Sequence, residues 1–246
     1  LLLEVNTMPR FRLSLLLLAS LCVGCGTNDS AEETRQTGAA APQRAASAEP
    51  AEGLVYSVDA AGSEVLWRIS KAGLMARFGH NHVISAKQFG GTVVVDANDP
   101  TKSRFELEIP VAEFVVDDPA LRARFGADFA SVPSEADKDG TRSNMLGDGV
   151  LKGSEFPVVR VRGGAPEGAG ATPTLPIEIE ILGNTFDLRV PGAVTFGDGT
   201  LEASGEFALD HAELGMTPFS ALGGALQVGP RIEFSYRIRA VRAASE

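Results

Sequence analysis

The chain contains three histidines, and two of them, His80 and His82, are two residues apart. On an extended strand that spacing puts both imidazoles on one face. Read as extended, residues 74–84 carry Leu74, Ala76, Phe78, His80, His82 and Ile84 on the more apolar face. Met75, Arg77, Gly79, Asn81 and Val83 fall on the other. His211 continues the parity of Phe207 and Leu209 and points the same way at a strand end. Three neutral imidazoles meeting there would form an open Zn²⁺ or Cu²⁺ site with one position left for water. The same groups also suit the polar mouth of a cavity, where they would hydrogen-bond a ligand head group. The residues favour the second reading. The metal site, on His80, His82 and His211, is the alternative.

Other chemistries are excluded more simply. Cys22 and Cys25 are the only cysteines, so the body beyond Cys25 has neither a disulfide nor a thiolate metal site. No Gly-x-Ser-x-Gly elbow is present, and Ser220 has no triad context. Gly147-Asp148-Gly149, Gly197-Asp198-Gly199 and Gly223-Gly224 are turn chemistry, because none joins a strand to a helix as a phosphate loop must. Glu135, Asp137 and Asp139 lack the spacing of a Ca²⁺ loop and read as a solvated helix start. With 22 Lys and Arg against 32 Asp and Glu, the net charge is −10. A chain so acidic is a poor partner for nucleic acid.

The positioning elements begin after a distinct N-terminal region. Leu1–Thr7 precede the first Met and read as upstream of the start. Arg10 and Arg12 then lead into the apolar run from Leu13 to Leu21. A basic stretch followed by a short apolar one is an export signal. The run falls short of the about 20 residues needed to span a bilayer. Leu21-Cys22-Val23-Gly24-Cys25-Gly26 resembles a bacterial lipobox, with Cys22 where Leu is usual. Cys25 is then the lipidation site, and Gly26 after it points to outer-membrane sorting of a periplasmic lipoprotein. Residues 26–53 hold no aromatic and no aliphatic β-branched residue, and they read as a disordered tether.

From residue 54 to 242 the two-residue alternation of an all-β domain dominates. Strands are predicted at Ser63–Lys71, Gly91–Asp96, Arg104–Ile109 running on to Val116, and Val158–Arg162. Further strands fall at Pro176–Leu182, Thr185–Val190, Ala193–Phe196, Thr200–Asp210 and Arg231–Val241, with Gly183-Asn184 as a hairpin turn. Short helices are predicted at Pro119–Phe125 and Glu135–Met145. About eight strands close into a barrel with room for one small ligand. The inward positions Trp67, Phe78, Phe105, Leu107, Ile179, Phe207 and Phe234 would line it, with His80 and His82 at the mouth.

Several pieces, in order, resemble the YceI-like family. They are Tyr56-Ser-Val-Asp59 with Ser63-Glu-Val-Leu-Trp67, Phe78-Gly79, and Phe89-Gly90-Gly91-Thr92-Val-Val-Val-Asp96. Arg142 with Met145, then Glu155-Phe156-Pro157-Val158, and Asp210 to Gly215 continue the match. The resemblance implies an extended, eight-stranded, antiparallel, lipocalin-like barrel that holds a polyisoprenoid or similar long apolar chain, without catalysis. Gly79–Gln88 is longer than the family's usual link. A barrel filled by its own side chains, acting as a structural envelope protein, is the remaining alternative.

Overall fold

Alternating apolar and polar residues carry most of the body into strands, because each turn of the pleat sends one side chain inward and the next outward. The computed structural model describes residues 53–168 and 173–243. The export segment, Cys25 and the tether up to residue 52 lie outside the described residues. The strands are β1 Leu54–Val58, β2 Glu64–Ala72, β3 His82–Ala86, β4 Gly90–Val95, β5 Arg104–Pro110, β6 Phe114–Val116 and β7 Val158–Gly164. Then follow β8 Thr174–Ile181, β9 Asn184–Pro191, β10 Ala193–Gly197, β11 Thr200–Asp210, β12 Ser220–Ala221 and β13 Leu226–Arg242. Two short helices, α1 Pro119–Arg122 and α2 Glu135–Leu146, interrupt them.

Every ladder is antiparallel, and the long final strand is the seam. One edge of β13 pairs with β11 from Asp210↔Arg231 to Thr200↔Val241. Its other edge takes β2 from Ala72↔Gln227 to Glu64↔Arg237, and then β1 from Val58↔Ala240. From there the order runs β1-β4-β5-β7-β8-β9 on one side and β2-β3-β6 on the other. β9 comes alongside β11, where the Tyr236 hydroxyl donates to the Pro191 carbonyl at 2.9 Å. No ladder joins β9 to β11 among the described residues, so the sheet wraps without closing. Gly205 is required at this approach, since a Cβ there would lie 2.2 Å from the Pro191 oxygen.

The expected eight strands are thirteen, for local reasons. The run from Arg104 to Val116 breaks at Pro110, which has no N–H to give, and turns once over Val111–Glu113 before β6. In the β8–β9 hairpin the turn sits one residue earlier than predicted. Leu182 and Gly183 take left-handed φ values of 55° and 70°, and Asn184 opposes Ile181. Positive φ at both central positions suits the twist of the flanking strands.

Leu66 breaks the alternation of β2, and the fold explains it. The inner face of the sheet builds the main core, with Ile84, Leu107, Ile109, Phe114 and Leu209 among its buried residues. Leu66 and Val83 face outward, but Leu121 and Phe129 from the segment after β6 cover them in a second core. The segment predicted as a polar helix thus buries Leu121 and Arg122. Asp118 caps α1 by accepting from the Ala120 and Leu121 amides, with Pro119 in the first turn.

Leu66 is fully buried, so Leu66→Ala is expected to cost about 2–5 kcal/mol in urea unfolding. Exposed Leu222→Ala should stay within about 0.5 kcal/mol of the parent. Equal effects would count against the second core.

Candidate functional site

The inner faces of the strands, closed on one side by α2, surround a cavity of about 1030 Å³. Its walls include all seven apolar residues predicted to face inward: Trp67, Phe78, Phe105, Leu107, Ile179, Phe207 and Phe234. Aromatic packing stiffens part of this wall. Phe207 and Phe234 stack with ring centroids 4.9 Å apart, and Trp67 meets Phe114 edge-on at 4.6 Å. Such pairs contribute roughly 0.5–1.5 kcal/mol beyond the area they bury. Phe78 differs from the rest, being 61% exposed while still lining the cavity. The cavity therefore reaches the surface there. Burial pushes the Tyr236 phenol up to about 12, so its hydroxyl is a fixed donor to Pro191.

One face of α2 was missed by the sequence reading. Asp137, Gly140, Thr141, Asn144 and Met145 line the cavity at helical spacing. The signal was present in Ser134 and Asp137, three residues apart. Each caps the other's backbone, in the pattern that starts a helix. Asp137 lies in the solvated first turn of α2, as the sequence predicts, and its carboxylate also comes within 3.9 Å of Nε2 of His80. Hydrogen bonds from the Ser134 side chain and amide hold its carboxyl below the usual range.

Both His80 and His82 line the cavity, but not by the predicted parity. The stretch 74–84 is not one strand: Gly73 turns at φ 93°, Ala76–Phe78 form a single 3₁₀ turn, and β3 starts only at His82. Leu74, assigned to the apolar face, is 96% exposed. The two rings lie 6.2 Å apart. Nδ1 of His80 is 3.3 Å from the Ser131 hydroxyl. His211 is buried and also lines the cavity, but its Nδ1 lies 2.7 Å from the Pro230 carbonyl. That carbonyl sits where the β2–β13 register shifts between Val228 and Ile232. Among the described residues no group of three His, Cys, Asp or Glu side chains could hold a metal ion. The structure does not bring the three imidazoles together as the metal alternative required.

A buried ionic cluster positions His82. Asp117 is fully buried, in a left-handed conformation at the end of β6. Its Oδ2 lies 2.6 Å from Nδ1 of His82, and its Oδ1 accepts from the Val83 amide at 2.9 Å. Arg122, 5% exposed, donates from one nitrogen to Asp117 Oδ1 and the Asn81 carbonyl. Its other nitrogen donates to the carbonyls of Phe129 and Ser131. Desolvation pushes the Asp117 carboxyl up, but hydrogen bonds from His82, Val83 and Arg122 outweigh it and hold the group below its ordinary value. The carboxylate is therefore ionised and accepts the proton on His82 Nδ1. Neither Asp117 nor Arg122 carries a sequence pattern that marks it, apart from the Asp118-Pro119 helix start beside them.

An antiparallel, lipocalin-like β-fold wrapped around one apolar cavity with a polar pole defines the class. The chain belongs to the YceI-like family, whose domain matches residues 56–240. It is similar to Burkholderia cenocepacia BcnA at 15% identity and a TM-score of 0.54, over 75% of this chain and 99% of that one. It is also similar to a polyisoprenoid binding domain from Saccharophagus degradans implicated in plant cell wall breakdown. That match has 11% identity and a TM-score of 0.51, over 77% of this chain and 99% of the other. These likenesses establish the fold. No curated protein matches the chain.

A carboxyl held low when folded stabilises fully above its unfolded value near 3.9 and loses that contribution as pH falls through the folded value. Asp117→Asn should therefore be less stable than the parent at pH 6, with the gap narrowing below about pH 4. Removing one member of a buried pair costs roughly 3–5 kcal/mol. Urea unfolding of both proteins from pH 6 to pH 2.5 checks this; a gap independent of pH would show that the charge of Asp117 is not what stabilises.

Proposed function

We propose that this protein is an exported binding module that holds a polyisoprenoid or similarly long apolar ligand in its cavity, and that it is not an enzyme. The observation that carries the reading is the cavity of about 1030 Å³ with its aromatic and aliphatic wall. That volume lies at the upper end of the about 300–1,000 Å³ of small-molecule pockets and leaves room for an extended apolar chain. A barrel filled by its own side chains would leave no such volume. The description of the Saccharophagus degradans neighbour as polyisoprenoid binding supports the same ligand class. Burial of an apolar chain contributes about 25 cal/mol per Å², less the cost of ordering it.

The signal-like segment and the lipobox-like Cys25 support a periplasmic protein anchored by acyl chains to the outer membrane. Among the described residues no helix is long and apolar enough to cross a membrane.

Native mass spectrometry of residues 26–246, produced in the periplasm and kept from detergent, is expected to show an added organic mass of several hundred daltons extractable as an isoprenoid. A bare chain mass would overturn the reading. Leu107 is buried and lines the cavity. Leu107→Trp should abolish the adduct while leaving the circular dichroism spectrum of the fold, and unchanged loading would count against a ligand inside the sheet.

A further inference from the structure

His82 is a polar group of the cavity wall whose Nδ1 is held in a single chemical role. Asp117 accepts from Nδ1 of His82 at 2.6 Å, which fixes the proton on that nitrogen. His82 lines the cavity and its Nε2 has no hydrogen-bond partner among the described residues. Arg122 holds the other carboxylate oxygen of Asp117, Oδ1, at 2.5 Å. A neutral ring with its proton on Nδ1 presents a lone pair on Nε2, and a lone pair is an acceptor.

We infer that the His82–Asp117 pair selects the polar end of the ligand, and that this end is a neutral hydroxyl that donates to His82 Nε2. The inference rests on the cavity holding an apolar chain and adds the chemistry of its head. The surroundings argue against an anionic head. Asp137 lies 3.9 Å from the neighbouring imidazole of His80. Arg122 spends both terminal nitrogens on Asp117, Asn81, Phe129 and Ser131. Lys71 at the cavity wall donates to the Gly79 carbonyl. At the end of the wall formed by His80 and His82 a phosphate would meet the Asp137 carboxylate, while Arg104, which lines the cavity from the start of β5, lies five places from β3 in the strand order. A head with no proton to donate would leave Nε2 desolvated and unpaired, which costs more than the bond itself contributes.

Trp67 is the only tryptophan and lines the cavity, so its fluorescence reports occupancy. The full chain, stripped of lipid, is titrated with farnesol, farnesyl methyl ether and farnesyl phosphate. Farnesol is expected to bind about tenfold tighter than the ether or more, with the phosphate weakest. In His82→Phe the alcohol-to-ether ratio should fall to about one while the ether still binds. Equal affinity of alcohol and ether in the parent, tighter binding of the phosphate, or an undiminished preference in His82→Phe would overturn the inference and leave the cavity reading standing. Binding of none of the three would overturn the cavity reading itself. Should His82→Phe fail to fold, the alcohol-to-ether ratio of the parent decides the matter alone.

Discussion

A single buried carboxylate organises this structure. Asp117 accepts hydrogen bonds from His82 Nδ1, the Val83 amide and the Arg122 guanidinium, and so ties the end of β6 to β3 and to α1. Through Val83 it fixes the end of β6 against β3. Through Arg122 it draws in the carbonyls of Asn81, Phe129 and Ser131, and so closes the segment that covers Leu66 and Val83. Through His82 it sets the orientation of an imidazole on the cavity wall. A buried ion pair gains little over a well-packed apolar substitute, but it is costly to leave half-made. That asymmetry makes the cluster a device for arrangement more than for stability, since moving the segment away would leave the carboxylate buried without its partners.

The outer surface shows how differently exposed charges behave. On β5, β7 and β8 the outward residues form rows in which Arg162 bridges Glu106 and Glu178, and Arg160 bridges Glu108 and Glu180. These are cross-strand pairs in water, worth little each, and they chiefly secure register. Register matters because a slip of one residue would turn Leu107 and Ile179 out of the cavity and these charges into it. The inner wall is thus specified twice, by its own apolar residues and by the rows behind it.

Much of this was legible in the sequence, because two-residue periodicity is a direct consequence of the pleat. The strands around Trp67, Leu107, Ile179, Phe207 and Phe234 follow from it, as does the inward direction of those side chains. Where the rule failed, tertiary contacts had overridden it. Leu66 looked like a misplaced apolar residue until the segment after β6 supplied a second core. The stretch from Leu74 to Asn81 has strand-like alternation, yet Gly73 turns the chain and a 3₁₀ turn follows. His80 and His82 reached the cavity wall by that bend and not by shared parity. Asp117 and Arg122 gave no signal because a buried ion pair has no period; its partners are set by the three-dimensional path of a loop.

The cavity itself imposes the last constraint. Cavities in engineered cores cost about 24 cal/mol for each Å³ left empty. At that rate a sealed, dry void of this volume would cost on the order of 25 kcal/mol, more than the about 5–15 kcal/mol by which domains are stable. The space is therefore one that solvent or ligand fills, and exposed Phe78 marks a route by which either enters. Water gains little against an apolar wall with few polar partners. An apolar chain recovers the dispersion contacts that the wall lacks and releases that water. Ligand that binds only the folded state then adds stability by mass action, about 2.7 kcal/mol at a hundredfold excess over Kd. Occupancy and stability are in this way a single equilibrium, with the ionic cluster at Asp117 holding the frame while the cavity fills and empties.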